Sequence, residues 1–269
     1  MPWLRTKAIL AGAGAVAVVA IGLLTLKMSA GCATEEGAPA CTRVLFIGNS
    51  YTTVNDLPGV FASLARSGGH RVETKSAAVD GWTLVNHADS PATATALTAS
   101  PWDIVVLQEQ SQIPAVEEFR QAQMYPAARR LISSIRNRGA RPLLYLTWGR
   151  RDGWPETGMP TYASMQSAID DGYLAIAADQ RVAVAPVGVA WASLVTRGAG
   201  APLWQQDGSH PTEAGTYLAA CVFYATIFQE SPKGLGYHSS LSAEAAAMIQ
   251  SVAAETALGD PAKWPPPSE

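Results

Sequence analysis

The chain has 269 residues, 48% of them hydrophobic and 15% charged, a balance that supports a sizeable core and excludes a disordered or fibrous chain. Its formal charge is −3; Arg5, Lys7 and Lys27 lie in an acid-free leader, so the remainder carries 16 basic against 22 acidic residues, which argues against nucleic acid or another polyanion as partner. Three cysteines with no Cys-x-x-Cys and no His-rich spacing give no support to a metal centre.

Residues 1–31 read as an export segment. Arg5 and Lys7 precede an uncharged run from Ala8 to Leu26, near the roughly 20 residues that span a bilayer. A signal anchor and a cleaved signal peptide are both open, the latter with small Ser29, Ala30 and Gly31 before Cys32. Either places the following domain outside the cytoplasm, secreted or held at the cell envelope, and makes this segment the expected membrane contact. Ser29-Ala30-Gly31-Cys32 also resembles a lipoprotein cleavage site, with Ser29 where Leu is usual.

Residues 32–41 are small and polar, a tether. From 42 to 258 short apolar runs alternate with helical patterns: strands are predicted at 44–47, 72–75, 104–107, 143–146 and 182–187, and helices at 61–65, 116–136, 162–178, 212–228 and 242–256. The first, third and fourth runs are almost wholly apolar, as strands covered on both faces should be. The alternation predicts one α/β domain, a parallel sheet with helices on both faces. Residues 259–269, with the sequence WPPPSE at their end, read as a loose Pro-rich tail. In an oxidising compartment three cysteines permit one internal bridge; Cys41 with Cys221 is the pair considered, and a buried free Cys221 is the equal alternative.

In such sheets ligands gather beyond the carboxyl ends of the strands, so the chemistry should lie just after each run. The first run, VLFI, passes into Gly48-Asn49-Ser50. A serine there can simply cap a helix or make a turn, but Asn55 or Asp56 followed by Pro58 already supplies the next helix start. A nucleophilic serine needs a base and a group that orients the base. His70, His87 and His238 read as solvated or capping residues. His210 differs, because Asp207 three residues earlier in a Gly-containing loop can reach its imidazole; the plainer reading is a helix-capping loop before Pro211. Donors for an oxyanion are offered by Gly81 through its backbone N–H and by Gln110 through its carboxamide, each equally an ordinary loop residue taken alone.

The stretches VLFIGNSYT and DGSHPTEAGTYLAA resemble the first and last sequence blocks of the SGNH (GDSL-like) hydrolases, with Asn49 where Asp is more common. With DGWTL, VLQEQSQ and LTWG they are similar to a bacterial, DUF4886-like branch, over roughly residues 42–236. The resemblance implies a three-layer α/β/α sandwich of SGNH or flavodoxin-like type and ester hydrolysis without cofactor. It implies Ser50 as nucleophile, His210 as general base, Asp207 as its partner, and Gly81 donating with Ser50 to the oxyanion. The third block, usually Gly-x-Asn-Asp, reads Gln108-Glu109-Gln110-Ser111, so Gln110 takes the place of an asparagine one methylene shorter.

Trp82, Trp148 and Trp204 fall beside the proposed loops and are candidates for an apolar or sugar-stacking wall, or for packing. Arg150 and Arg151 offer charge to an anionic substrate group or to solvent. Glu109 and the Glu117–Glu118 pair provide carboxylates, but nothing sets two of them at a glycosidase separation. The expected function is an exported serine esterase acting on small-molecule or glycan esters, acetyl esters included. The alternatives are a cell-surface carbohydrate-binding protein without turnover and an acyltransferase using the same residues.

Overall fold

A computed structural model describes Cys32 and residues 40–198 and 202–267; the expectations for a signal peptide or anchor fall outside these residues. Among them, five strands form one parallel sheet: β1 (Cys41–Gly48), β2 (Arg71–Ala78), β3 (Ile104–Leu107), β4 (Arg141–Tyr145) and β5 (Ala183–Ala185), in the order β2-β1-β3-β4-β5. The chain leaves β1 to one side for β2 and returns past it to β3. The carboxyl ends therefore part between β1 and β3, where a crevice opens.

Side chains alternate across the sheet. Val44 and Phe46 of β1 join a core with Val106 and Tyr145, whereas Leu45 and Ile47 join another with Val105 and Leu144. The first face is covered by α2 (Leu57–Ser67), α8 (Val187–Arg197), α9 (Glu213–Phe228) and α10 (Ala243–Leu258). The second is covered by α3 (Leu84–Ala88), α4 (Pro91–Thr98), α6 (Tyr125–Arg136) and α7 (Tyr162–Gln180). Short α1 (Ser50–Thr53) and α5 (Glu117–Phe119) complete the helices. Helix α9, EAGTYLAACVFYATIF, is apolar nearly all round and buried from Ala214 to Thr226, as a helix without a polar face must be.

The five strands and the three-layer arrangement agree with the sequence reading; four details differ. The run 182–187 stops as a strand at Ala185, because Pro186 cannot donate to the ladder; Val187, Ala190, Trp191 and Leu194 then follow helical spacing into α8. The helix predicted over 116–136 is interrupted by a π-turn at Arg120–Met124, immediately before Pro126, which has no N–H to continue the ladder. The C-terminal segment is not a loose tail: Trp264 is buried in the second core, and the Pro267 carbonyl accepts from Arg141 Nη1. Finally, Cys41 is bridged to Cys32 and not to Cys221, which is the free, buried thiol of the alternative reading. Cys41 opens β1 at the amino edge of the sheet, while Cys221 lies within α9. A Cys32 sulfur held in a disulfide is not free to carry a lipid.

Candidate active site

The carboxyl end of β1 is shaped by a buried polar network. Gly48 leaves room for Gln108: a Cβ there would lie 2.4 Å from Gln108 Oε1. That oxygen accepts the Asn49 N–H at 2.8 Å and the Thr52 hydroxyl at 3.0 Å, while Gln108 Nε2 donates to Asn49 Oδ1 at 2.8 Å. His87 Nε2–H donates to the Gly48 carbonyl at 2.8 Å, and its Nδ1 accepts from Thr93 Oγ1 at 2.9 Å. Both nitrogens are thus committed, and burial lowers the His87 pKa, opposed by the Gly48 carbonyl. The expectation of a solvated or capping His87 is corrected: it is 2% exposed and pins the strand end.

Asn49 caps α1 by accepting the Tyr51 N–H and donates through Nδ2 to the Trp82 carbonyl at 2.8 Å. A carboxylate could not make that second bond, which gives the asparagine a physical reason at a position where Asp is commoner. It ties the Gly81-Trp82 turn to the first residue of α1, Ser50, whose N–H has no partner within the helix. Gly81 adopts φ +74°, and a Cβ there would meet nothing within 4 Å. Its backbone faces open space on the cleft, a conformation that suits glycine.

From the other side, the loop before α9 brings His210 to Ser50. His210 Nε2 lies 3.0 Å from Ser50 Oγ, and Nδ1 lies 2.5 Å from Asp207 Oδ2. Asp207 Oδ1 accepts the backbone N–H groups of Ser209 and His210 at 2.9 and 3.0 Å. Desolvation alone would raise the Asp207 pKa, but the His210 ring and those two N–H groups outweigh it and lower the value. The arrangement fixes Nδ1–H toward Asp207 and leaves Nε2 to accept the Ser50 proton.

These residues line a cleft of about 350 Å³ with Asn49, Tyr51, Asp80, Gly81, Gln110, Ser111, Arg150 and Ser209. The structure thus gathers Ser50, Gly81, Gln110 and His210 around one space, with Asp207 behind His210. Gln110 lines the cleft, but its carboxamide is turned to Gln112, Nε2 donating to Gln112 Oε1 at 3.3 Å. The Gln110 and Leu84 N–H groups both donate to Glu109 Oε1, at 2.7 and 3.0 Å. Burial pushes the Glu109 carboxyl up to about 7 despite those bonds, and its Oε2 is buried without a partner. Glu109 is therefore a brace between the loops that follow β2 and β3, not a carboxylate facing the cleft.

None of the three tryptophans lines this cleft. Trp148 is fully buried; it stacks on Tyr51 (centroids 4.5 Å apart) and Trp191 (3.9 Å), and its Nε1–H donates to the Ser209 carbonyl at 3.0 Å. Trp82 packs against His87, and Trp204 packs against Trp191 and donates to the Gly149 carbonyl. The sugar-stacking wall is corrected accordingly, since these rings support the loops from behind. A larger groove of about 560 Å³ lies between α3, α4 and α6, but its Arg129 and Arg130 are paired with Asp179 and Asp89, and His87 has no free nitrogen. Among the described residues there is no cluster of three or more His, Cys, Asp or Glu able to hold a metal.

No protein-family model and no curated protein matches the chain. Among solved structures it is similar to a candidate SGNH hydrolase from Slackia heliotrinireducens, with 30% identity and a TM-score of 0.59 over 70% of this chain and 99% of that one. The chain belongs to the SGNH hydrolase family. Two further comparisons show the fold. A DUF4886 family protein from Bacteroides uniformis is 18% identical, with a TM-score of 0.69 over 81% of this chain and 95% of that one. A catalytic mutant of an acetylxylan esterase from Geobacillus stearothermophilus is 15% identical, with a TM-score of 0.51 over 68% and 92%.

The residues that sequence reasoning missed in this member of the SGNH hydrolase family are Gln108, His87, Tyr51 and Ser209. Tyr51 Oη lies 2.7 Å from Ser209 Oγ, joining the first and last loops. Burial raises the Tyr51 pKa, with hydrogen bonds to Ser111 and Ser209 and the charge of Arg150 pulling it back.

Proposed function

We propose that this SGNH hydrolase is an exported serine esterase that removes small acyl groups, acetyl among them, from alcohols and carbohydrates. The observation that carries the reading is the 3.0 Å contact between Ser50 Oγ and His210 Nε2, with Nδ1 held by Asp207. A hydroxyl is a weak nucleophile until a placed base accepts its proton. In the proposed step Ser50 Oγ attacks the ester carbonyl carbon as its proton passes to His210 Nε2, and Asp207 stabilises the imidazolium. The carbonyl oxygen, now negative, is met by the N–H groups of Ser50 and Gly81. Collapse expels the alcohol, which takes the proton from His210, and leaves an acyl-Ser50. Water then repeats the sequence with His210 as base, releasing the acid and restoring the serine.

The acetylxylan esterase neighbour supports the choice of a small acyl group. The Cys32–Cys41 bridge supports export, because disulfides persist in oxidising compartments. The carbohydrate-binding alternative drew on the tryptophans, and their place behind the loops leaves it without that support. Labelling with a fluorophosphonate probe followed by peptide mapping tests the reading. The expected adduct is on Ser50 and is lost in Ser50→Ala together with hydrolysis of 4-nitrophenyl acetate. An unlabelled serine, or a variant that keeps the wild-type rate, overturns it.

A further inference from the structure

Arg150 stands apart from the arginines around it. Arg151 pairs with Asp152, Arg120 with Glu117 and Arg129 with Asp179, whereas Arg150 lines the cleft with Ser50, Tyr51, Ser111, Ser209 and His210. Its side chain has no ion pair or hydrogen bond among the described residues, and its Nε is buried without a partner. A partly buried guanidinium left in this way has given up water without receiving an acceptor, which is unfavourable until a ligand supplies one.

The backbone around it is firmly held. The Arg150 N–H meets Met165 Sδ at 3.3 Å, its carbonyl accepts the Gly153 N–H at 3.0 Å, and Gly149 N–H donates to Gln166 Oε1 at 2.8 Å. Arg151 N–H donates to the Gly208 carbonyl at 2.8 Å, so the Arg150 loop is tied to the loop that carries His210.

Sheet order then decides which part of a substrate Arg150 meets. Gly81 follows β2 and Arg150 follows β4, and β1 and β3 lie between them. Gly81 and the guanidinium therefore flank Ser50 on opposite sides. His210, which hands its proton to the departing alcohol, is on the Arg150 side. Asp80 lies on the Gly81 side, where the Thr53 hydroxyl donates to it at 3.1 Å, and Asp207 is occupied by His210 and two N–H groups.

We infer that Arg150 binds an anionic group on the alcohol portion of the ester, a carboxylate or a phosphate, so that the substrates are acyl esters of acidic alcohols such as acidic sugars. The inference rests on the esterase reading for the orientation of the alcohol. A planar guanidinium can hold either group through two parallel N–H bonds. Tyr51, Ser111 and Ser209 line the same cleft, and their hydroxyls can receive or give further hydrogen bonds to the bound group.

The test compares O-acetylated methyl glucuronoside with the methyl ester of its carboxyl group, which keeps the shape and removes the charge, and with O-acetylated glucose 6-phosphate. The wild-type protein should prefer the free acid over its methyl ester by about 10- to 100-fold in kcat/KM, chiefly through KM, as a charged hydrogen-bonded pair implies. Preference for the phosphate over both identifies phosphate as the anion. In Arg150→Gln the preference should fall toward unity, and Arg150→Lys should restore part of it. Equal rates on acid and ester in the wild type, or a preference kept by Arg150→Gln, overturn the inference. If no ester is turned over, the esterase reading fails, and binding of glucuronate and glucose 6-phosphate is followed by ligand-observed NMR. Binding of either to wild type but not to Arg150→Gln upholds the anion site, and its absence in both overturns it.

Discussion

Two histidines lie within a few residues of the nucleophile loop in space, one behind it and one in front. Behind, His87 gives Nε2–H to the Gly48 carbonyl and takes a hydrogen bond from Thr93 at Nδ1, buried and kept neutral. In front, His210 gives Nδ1 to Asp207 and turns Nε2 to a hydroxyl on an open cleft. The residue type is the same, and both second nitrogens reach the same loop. What differs is the atom each one meets: a carbonyl can only accept, whereas a serine hydroxyl can give up its proton. One ring is therefore confined to holding the loop, and the other is equipped for transfer.

The contrast breaks most sharply under substitution. His210→Ala should lower kcat on 4-nitrophenyl acetate by about 10⁴-fold or more, with stability changed by less than about 1 kcal/mol because the ring is partly exposed; a urea titration and a rate assay together check both. His87→Ala should do the reverse. It removes one of the two hydrogen bonds to the Gly48 carbonyl, leaving the Val79 N–H, deprives the buried Thr93 hydroxyl of its acceptor and opens a cavity, so stability should fall by about 2–4 kcal/mol, while the protein that remains folded keeps measurable turnover. Equal stability losses in the two variants would erase the distinction.

A subtler effect sharpens it. The buried Glu109 has its proton held more tightly in the folded chain, about 7 against an ordinary 4.5. Between those values the folded protein keeps a proton that the unfolded chain has released. The contribution is fully present below pH 4.5, falls as pH rises, and levels off above 7. Relative to Glu109→Gln, wild-type stability should drop by about 3 kcal/mol across that window. Urea midpoints at half-unit pH steps measure it, and a flat difference means that the carboxyl does not titrate there.

Legibility in the sequence follows the range of the interaction. The strands showed as apolar runs, and Asp207 with His210 showed as a three-residue spacing, because both signals are local. Asn49 with Gln108 spans 59 positions and His87 with Gly48 spans 39; no local pattern announces either. The third block was readable as an unusual Gln-Glu-Gln, but not that Gln108 would buttress the nucleophile loop, Glu109 brace its neighbours and only Gln110 reach the cleft. Trp148 shows the same gap. Its place after β4 put it near the site, yet the direction of its ring depends on Tyr51 and Trp191, which stack on it from elsewhere in the chain. The bridge stays open in the sequence for a related reason: α9 is wrapped on all sides, and nothing in the composition of AACVFYA separates a free core thiol from a paired one.

That wrapped thiol has a use of its own. With Cys32 and Cys41 joined, Cys221 is the sole sulfhydryl of the chain, fully enclosed and with its ionisation pushed up by burial. A thiol-directed reagent can reach it only when α9 parts from the sheet, so under slow-opening conditions its rate of modification reports how often the heart of the domain comes apart. The chain carries a built-in clock for its own unfolding, with no engineered label required.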